Sequence, residues 1–468
     1  MSNTKPDAGR VGIAYEPVLS GCLSENCYDD PDVIRRLVRT AMTEFGLGRK
    51  NPEVPFADII LPGQTVLVKP NWVYHQNQAP YGNESLVTHP EIVLQTLLEI
   101  TAAKPVQVIL GDAPIQGCDW TKLITPAFRS RLEEIEATSG VPIKLVDFRR
   151  TVTETENLED GVKVDQRDRE RYVLFDLANE SWLEPVSDPQ GRFRVTNYDP
   201  SELAKRHQPG RHQYLLCKEA FEADVVIQLP KLKTHRKTGV TGAIKNLVGL
   251  NGNKDFLPHH RVGGSKVGGD CYQGRNLRMR TVEWLLDSAN RNLGRPVYGT
   301  VRNLADVQSR VIRKTPIGGL EGSWYGNDTC WRMVLDLNRI LHYGTIDGEL
   351  ASTRQRVIYS LTDAVVCGQG DGPLAPEPLP LGVVTFASNS VAADSVHCVL
   401  LGINPERIRL VCAARSESRW MLLDQGSVPY AAVDARSLRL SEIRDTIGVN
   451  ARLPEGWAGQ VEFEVPVR

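Results

Sequence analysis

The sequence has no long hydrophobic run: nowhere in its 468 residues is there a stretch approaching the roughly 18 apolar residues that a membrane-spanning helix needs. Its first residues, MSNTKPDAGRVGIAYEP, lack the apolar core of a secretory signal. A cytoplasmic protein without a membrane segment is expected. Excess charge of one sign is missing too. Fifty-five lysines and arginines face 57 aspartates and glutamates, a net charge of −2, so the chain as a whole offers no broad attraction for nucleic acid or anionic lipid. Any cationic site must be local. Cysteine pairs are also lacking. The 9 cysteines are scattered from Cys22 to Cys412 without one CxxC, which fits reduced thiols better than a disulfide framework. Cys22 and Cys27 have no second pair nearby, so free thiols outweigh a zinc or iron–sulfur reading.

What is present is an ordinary globular composition, 41% hydrophobic, enough for large cores and two or three domains. DPDVIRRLVRTAMTEFGLG places Val33, Ile34, Leu37, Val38, Ala41, Met42 and Phe45 on one helical face, opened by Asp30-Pro31 and closed by glycine. Short β-branched runs then alternate with helical segments: TVLVKPNW, THPEIVLQTLLEI, VQVILGDAP, TPAFRSRLEEIEATSG, PIKLVDF. Such alternation predicts an α/β fold with parallel or mixed sheets flanked by helices. Residues from about 150 to 215 turn polar and read as an insertion or flap. The pattern resumes at ADVVIQLPKLKTH. A Gly-rich stretch over 249–276 leads into the helical segments LRMRTVEWLLDSANRNLG and CWRMVLDLNRILHYG, and QRVIYSLTDAVVCGQGDGP, LGVVTFASN and SVAADSVHCVLLGINP complete the alternation. Two α/β lobes are expected, 1–255 with the polar insertion and 346–468, with a Gly-rich and helical segment over 256–345 between them.

Ligands of parallel sheets bind beyond the carboxyl ends of the strands, and here those ends are polar. VLVK leads into Lys69, Asn71 and Trp72, VILG into Asp112, VVIQL into Lys231, Lys233 and His235, and VTFA into Ser388 and Asn389. The densest segment is PKLKTHRKTGVTGAIKNLVG, residues 230–249, which contains no acidic residue. Thr238 to Thr241, with Gly239 among them, read as a loop entering a helix over GAIKNLVG. Its backbone N–H groups and positive end, backed by lysines, suit a phosphate or carboxylate. The GxxxxGK[ST] spacing of a P-loop is absent, which argues against ATP hydrolysis. Lys245, inside the apolar stretch AIKNLVGL, is expected to be partly buried and hence either reactive or snorkelling from a helix flank. His235 stands ten residues before it, a candidate acid, base or ligand. FLPHHRVGGSKVGGD carries His259 and His260 and reads as a surface loop or as a lid that brings imidazole to the site. At THPE, Thr88 and Glu91 read as a capping box with Pro90 in the first turn, which leaves His89 a helix-start residue. Asp112 and Asp371 sit in Gly/Pro turns where a carboxylate can orient a lysine, and Asp394 falls in the first turn of a helix.

VKPNW, THP, LGDAP, PKLKTHRKTGVTGAIKNLVG, GQGDGP and AADSVHCVLLG together resemble the family catalogued as domain of unknown function 362, over about 66 to 405. That resemblance implies an α/β fold and, for some members, association with iron–sulfur modules. The central block is more distantly similar to the lactate racemase family, with its histidine, glycines and a lysine ten residues on. The likeness implies Lys245 as the anchor of a nickel-pincer nucleotide, His235 as the preceding histidine, and His259 or His260 as the later, nickel-binding one.

The expected function is an enzyme for a small carboxylate- or phosphate-bearing substrate. Lys69, Asn71, Asp112, Lys231, Lys233, Thr238, Gly239, Thr241, Asn246 and Asp371 are its candidate binding residues. His235, Lys245 and His260 would move a proton or hydride, as in an isomerase or racemase. The alternative is a redox or metal-associated binding protein without turnover. Nucleic-acid binding is disfavoured because the cationic run is short and has no interleaved aromatics.

Overall fold

Runs such as Val66-Leu67-Val68 and Val225-Val226-Ile227 are apolar at every position, which suits strands buried on both faces. In the computed structural model, which describes residues 7–153, 163–293, 295–313 and 320–464, these runs form the centre of one 11-stranded sheet. Its strands are β1 Arg10–Tyr15, β2 Thr65–Pro70, β3 Gln107–Asp112, β4 Ile143–Asp147, β5 Val225–Leu229, β6 Lys231–His235, β7 Gly239–Thr241, β8 Val357–Asp371, β9 Ala375–Ala387, β10 Tyr430–Val433 and β11 Arg436–Leu438. They lie in the order β11-β10-β1-β9-β8-β5-β2-β3-β4, while β6 pairs with β8 and β7. From β8 to β4 neighbouring strands are parallel, whereas β9 runs antiparallel to both β8 and β1. The sheet is therefore mixed. The lobes expected over 1–255 and 346–468 do not each form their own sheet. Because β9 hydrogen-bonds β8 on one side and β1 on the other, both regions share a single one.

Side chains alternate across a strand, and each face of the sheet has its own core. Val66 and Val68 join one with helices α1 Pro31–Phe45, α2 Pro90–Ala102 and α3 Pro126–Ser139, while Leu67 joins the other. In α1 the expected face is buried, Asp30 accepts from the backbone N–H of Asp32 and Val33, and Gly46 closes the helix at φ 110. The second core holds the short helix α4 Ala243–Asn246 together with α5 Cys330–Tyr343 and α6 Ser390–Leu400. The polar insertion joins it as well: Tyr172–Asp176, Arg211–Cys217 and His207–Gln208 make a three-stranded antiparallel sheet whose Phe175, Tyr214 and Leu216 are buried there. Its apolar alternation makes it a wall of the protein, not a detached flap.

Lys231, expected to bind an anion, is committed elsewhere. Its Nζ pairs with Asp363 Oδ2 at 2.9 Å, both side chains fully buried, and lies 2.8 Å from the Tyr28 hydroxyl. That hydroxyl donates to Asp363 Oδ1 at 2.7 Å, and the Tyr28 ring stacks on His89 with centroids 3.7 Å apart. Burial and the Asp363 charge hold the phenol well above its ordinary pKa. The network fastens β6 to β8. Removing one partner of such a pair strands a buried charge, so Asp363→Ala is expected to cost about 3–5 kcal/mol in urea unfolding. Lys231→Met added to Asp363→Ala should recover part of that loss, because the two effects are coupled.

Candidate functional site

The chain steps outward from β2 to β3 to β4 and then returns to place β5 on the opposite side of β2. That reversal opens a crevice beyond the carboxyl ends of the strands, where α/β sheets bind ligands. Lys69 lies near the end of β2 and Asp112 ends β3. Their Nζ and Oδ1 atoms are 2.9 Å apart with both side chains buried. Lys69 Nζ also donates to Pro70 O at 2.8 Å and to Asn246 Oδ1 at 3.1 Å. Asp112 accepts from the backbone N–H of Trp72 at 2.6 Å and of Ala113 at 2.8 Å. Burial pulls the Lys69 pKa down while Asp112 opposes that fall. Gly249 sits directly on the pair: a Cβ there would overlap Asp112 Oδ1 and come within 2.7 Å of Lys69 Nζ. Asn71 donates its backbone N–H to Thr88 Oγ1 at 2.8 Å, and that hydroxyl donates to Leu229 O at 2.6 Å, tying the ends of β2 and β5. With Thr88 so engaged, the cap of α2 is not Thr88 but His89, whose Nδ1 accepts from Glu91 N.

The segment 230–249 folds differently from the expected loop and helix start. β6 and β7 form a hairpin with His235 opposite Gly239 and Lys233 opposite Thr241. Gly239 has φ 81, and a Cβ on it would press into Ile408 and Trp457. Thr238 Oγ1 is turned back to Val240 O, and the buried Thr241 hydroxyl has no partner. The start of α4 is not open to a ligand either. Asp394 accepts from Ala243 N at 2.6 Å and Ile244 N at 2.9 Å. The same carboxylate is 2.9 Å from His397 Nδ1, and His397 Nε2 is 2.8 Å from Thr385 Oγ1. The anion at this helix start is the protein's own carboxylate. Asn389 likewise serves structure, accepting from Val391 N to cap α6.

Of the residues singled out from sequence, Lys69, Asn71, Asp112, His235, Lys245, Asn246 and Asp371 line one cleft of about 270 Å³. Lys231, Lys233, Thr238, Gly239, Thr241 and His260 do not. Lys233 lies behind Asn71, donating to Asn71 Oδ1 at 3.1 Å and to Leu86 O, and burial followed by the Lys245 charge holds it well below its ordinary pKa. His260 is replaced in the cleft by its neighbour His259. Residues 260–261 pair with 193–194 as strands, where successive side chains point to opposite sides. His260 therefore faces a smaller cavity beside Arg194 and Glu283, with its Nδ1 unpartnered. Asp371 pairs with Arg236 at 3.1 Å at the rim, where both are about half exposed.

Two imidazoles in the cleft are fixed in opposite tautomers. His235 Nδ1 accepts from the backbone N–H of Lys237 at 3.0 Å and of Thr238 at 3.1 Å, which places its proton on Nε2. His259 Nδ1 lies 2.7 Å from Leu257 O; a carbonyl only accepts, so His259 carries its proton on Nδ1 and leaves Nε2 bare. Burial, then the charges of nearby lysines, hold His235 well below the usual imidazole pKa and push His259 down to about 3. Both are neutral near pH 7.

Three lysines in the cleft have no carboxylate partner among the described residues. Lys245 makes no hydrogen bond or ion pair there. Lys237 reaches only Thr196 Oγ1, at 3.5 Å. Lys254 donates to Ala113 O at 2.7 Å and Asn251 O at 3.3 Å, and burial lowers it to about 7. The polar insertion closes the cleft with Thr196, Asn197 and Tyr198. Sequence reasoning did not select Lys237, Lys254 or Tyr198. Lys237 was visible in the cationic run, whereas Lys254, in NGNKDF, carries no motif and is placed by tertiary folding alone.

The thiols are all free and dispersed. Among the described residues no three His, Cys, Asp or Glu side chains are grouped to hold a metal ion. An iron–sulfur cluster held by this chain's dispersed cysteines does not fit.

Asp394→Ala should leave the N–H groups of Ala243 and Ile244 buried and unsatisfied, at about 1–3 kcal/mol each. Thermal unfolding is expected to show the loss. Gly242→Ala should act in the same direction, because its Cβ would overlap Asp394 Oδ1.

No curated protein matches this chain. A solved structure from Thermotoga maritima is similar at 10% identity and a TM-score of 0.33, over 81% of this chain and 59% of that one. The chain thus spans less than two thirds of that neighbour, and so loose a likeness carries no argument. No helix of the described residues is long and apolar enough to cross a membrane. Residues 176–399, the stretch that brings His235, Lys237, Lys245, Lys254 and His259 to the cleft, match the model of the family described as Domain of unknown function (DUF362).

Proposed function

We propose that the cleft binds a small substrate carrying a carboxylate or phosphate and exchanges a proton at the carbon beside that group, the chemistry of an isomerase or racemase. The observation that carries this reading is the pair of neutral imidazoles in opposite tautomers beside lysines that lack a counter-charge. An anion entering the cleft meets Lys237, Lys245 and Lys254 without having to displace a protein carboxylate from them. Hydrogen bonds to charged groups contribute about 1.5–3 kcal/mol each. His259 Nε2 has the free lone pair that a base requires, and His235 Nε2–H can donate to an oxygen that gains negative charge as the C–H bond breaks. The Lys69–Asp112 pair and Asn246 support the floor, and their charges already balance.

Proton exchange is read directly in deuterium oxide, with short 2-hydroxy and 3-oxo acids and their phosphate counterparts as probes. Solvent deuterium should enter the carbon beside the acidic group. His259→Gln should slow that entry by about 10²–10⁴ while calorimetric binding of the same probe persists. Binding without exchange in the unaltered protein would rule out proton transfer.

The lysines also set a pH dependence. The Lys254 pKa of about 7 means that this amine is charged below that pH and loses its proton above it. Affinity for sulfate, whose own charge is constant in this range, is expected to fall as pH rises through about 7. Lys254→Met should be weaker at low pH and lose that step.

A further inference from the structure

We propose that Lys245 forms a covalent imine with its substrate, which places the substrate among aldehydes and ketones whose carbonyl stands one carbon from the anionic group, such as a 3-oxo acid or a 2-oxoalkyl phosphate. The inference rests on the anion-binding, proton-exchanging cleft described above and names its chemistry. Among the cleft lysines, Lys245 alone has an amine that makes no hydrogen bond or ion pair within the described residues. Lys69 is paired with Asp112, Lys254 is held by two carbonyls, and Lys237 extends to Thr196. Lys237 and Lys254 supply positive charge, Lys69 is balanced by Asp112, and Lys245 is the one left with an uncommitted nitrogen.

Its backbone is clamped on both sides. Ile244 is held by Asp394 through its N–H and by Asn338 Nδ2 through its carbonyl, at 2.8 Å. Asn246 is fixed to Lys69 through both ends of its amide, at 3.1 and 3.2 Å. A nucleophile so anchored meets its electrophile with little loss of freedom. Burial, and after it the charges of Lys237 and Lys69, lower the Lys245 pKa, which enriches the uncharged, nucleophilic amine, the usual way a lysine is activated toward carbonyls.

The reaction balances with the groups present. The amine nitrogen bonds to the carbonyl carbon, one amine hydrogen passes to the carbonyl oxygen, and water then leaves with the second, giving C=N in place of C=O. The imine nitrogen takes one proton from solvent or from the Lys254 ammonium. His259 Nε2 removes a proton from the carbon between iminium and anionic group, the C–H electron pair forms the new C=C bond, and the C=N π pair moves to nitrogen to give an enamine. Reprotonation and addition of one water release product and the free amine.

Borohydride reduction tests this in the full-length protein, with acetoacetate as the probe and calorimetry of acetoacetate and sulfate alongside. The expected result is one reduced adduct per chain, mapped by peptide mass spectrometry to Lys245, diminished by excess sulfate and lost in Lys245→Arg. Binding of acetoacetate with no adduct, or with the adduct on Lys237 or Lys254, overturns the imine and leaves the anion site standing. Binding of sulfate without acetoacetate overturns the substrate class. Failure of both anions to bind overturns the proposed function along with it.

Discussion

The ion pair between Lys69 and Asp112 is the constraint on which the cleft depends. It joins the ends of β2 and β3 beside the crevice at β2 and β5, where the sheet order reverses, a place that topology leaves open. A buried pair of this kind is tolerated only when its remaining hydrogen-bonding capacity is filled, and here the requirement organises the surroundings. Asp112 takes the N–H groups of Trp72 and Ala113, turning the chain after β2 and after β3. Lys69 takes Asn246, which fixes the end of the short helix α4. Gly249 must be glycine for the next turn to close over the pair. The neighbours of the cleft are set by satisfying two buried charges.

Asp394 does the complementary work from the other side of α4. By occupying the helix start it removes the N-terminal N–H groups from any role in recognition. A helix terminus contributes about 0.3–1 kcal/mol toward an exposed anion, up to ~2 when partly buried. In the proposed function three lysines without carboxylate partners outweigh that, and recognition rests on side chains instead of the backbone. The same substitution of roles explains why a motif that reads as an anion-binding loop becomes a hairpin. Thr238 and Gly239 shape the turn, and the proposed chemistry rests on Lys237, Lys245 and the two histidines.

The sheet was legible because its strands announce themselves by uninterrupted apolar runs and its helices by caps: Asp30 and Gly46 bound α1 as the sequence requires. The junction of the two ends of the chain in one sheet was not legible, because pairing of β9 with β1 joins residues more than 350 apart and no local pattern encodes it. In the cleft, strand-end position identified Lys69, Asn71 and Asp112, and the interruption of an apolar stretch identified Lys245. The same rule counted Lys231 and Lys233 as ligands. Their alternation with His235 on β6 is visible in KLKTH, but whether a given lysine meets solvent or Asp363 is decided by what packs on that face. His259 against His260 shows the same limit: His260 opens a short strand and His259 lies just before it, and only the pairing with Arg194 settles which one enters the site.

Cationic side chains collected in a low-dielectric cleft repel one another, and a fold accepts that cost where something outside the chain relieves it. The described residues show the asymmetry plainly. Lys69 in the cleft floor and Lys231 below it each have a carboxylate, the buried Lys233 has an amide and a carbonyl, and Lys237, Lys245 and Lys254 line the open volume without a carboxylate. In the proposed function the histidines beside these lysines, neutral and opposite in tautomer, would turn a site for an anion into a place where a proton can be moved.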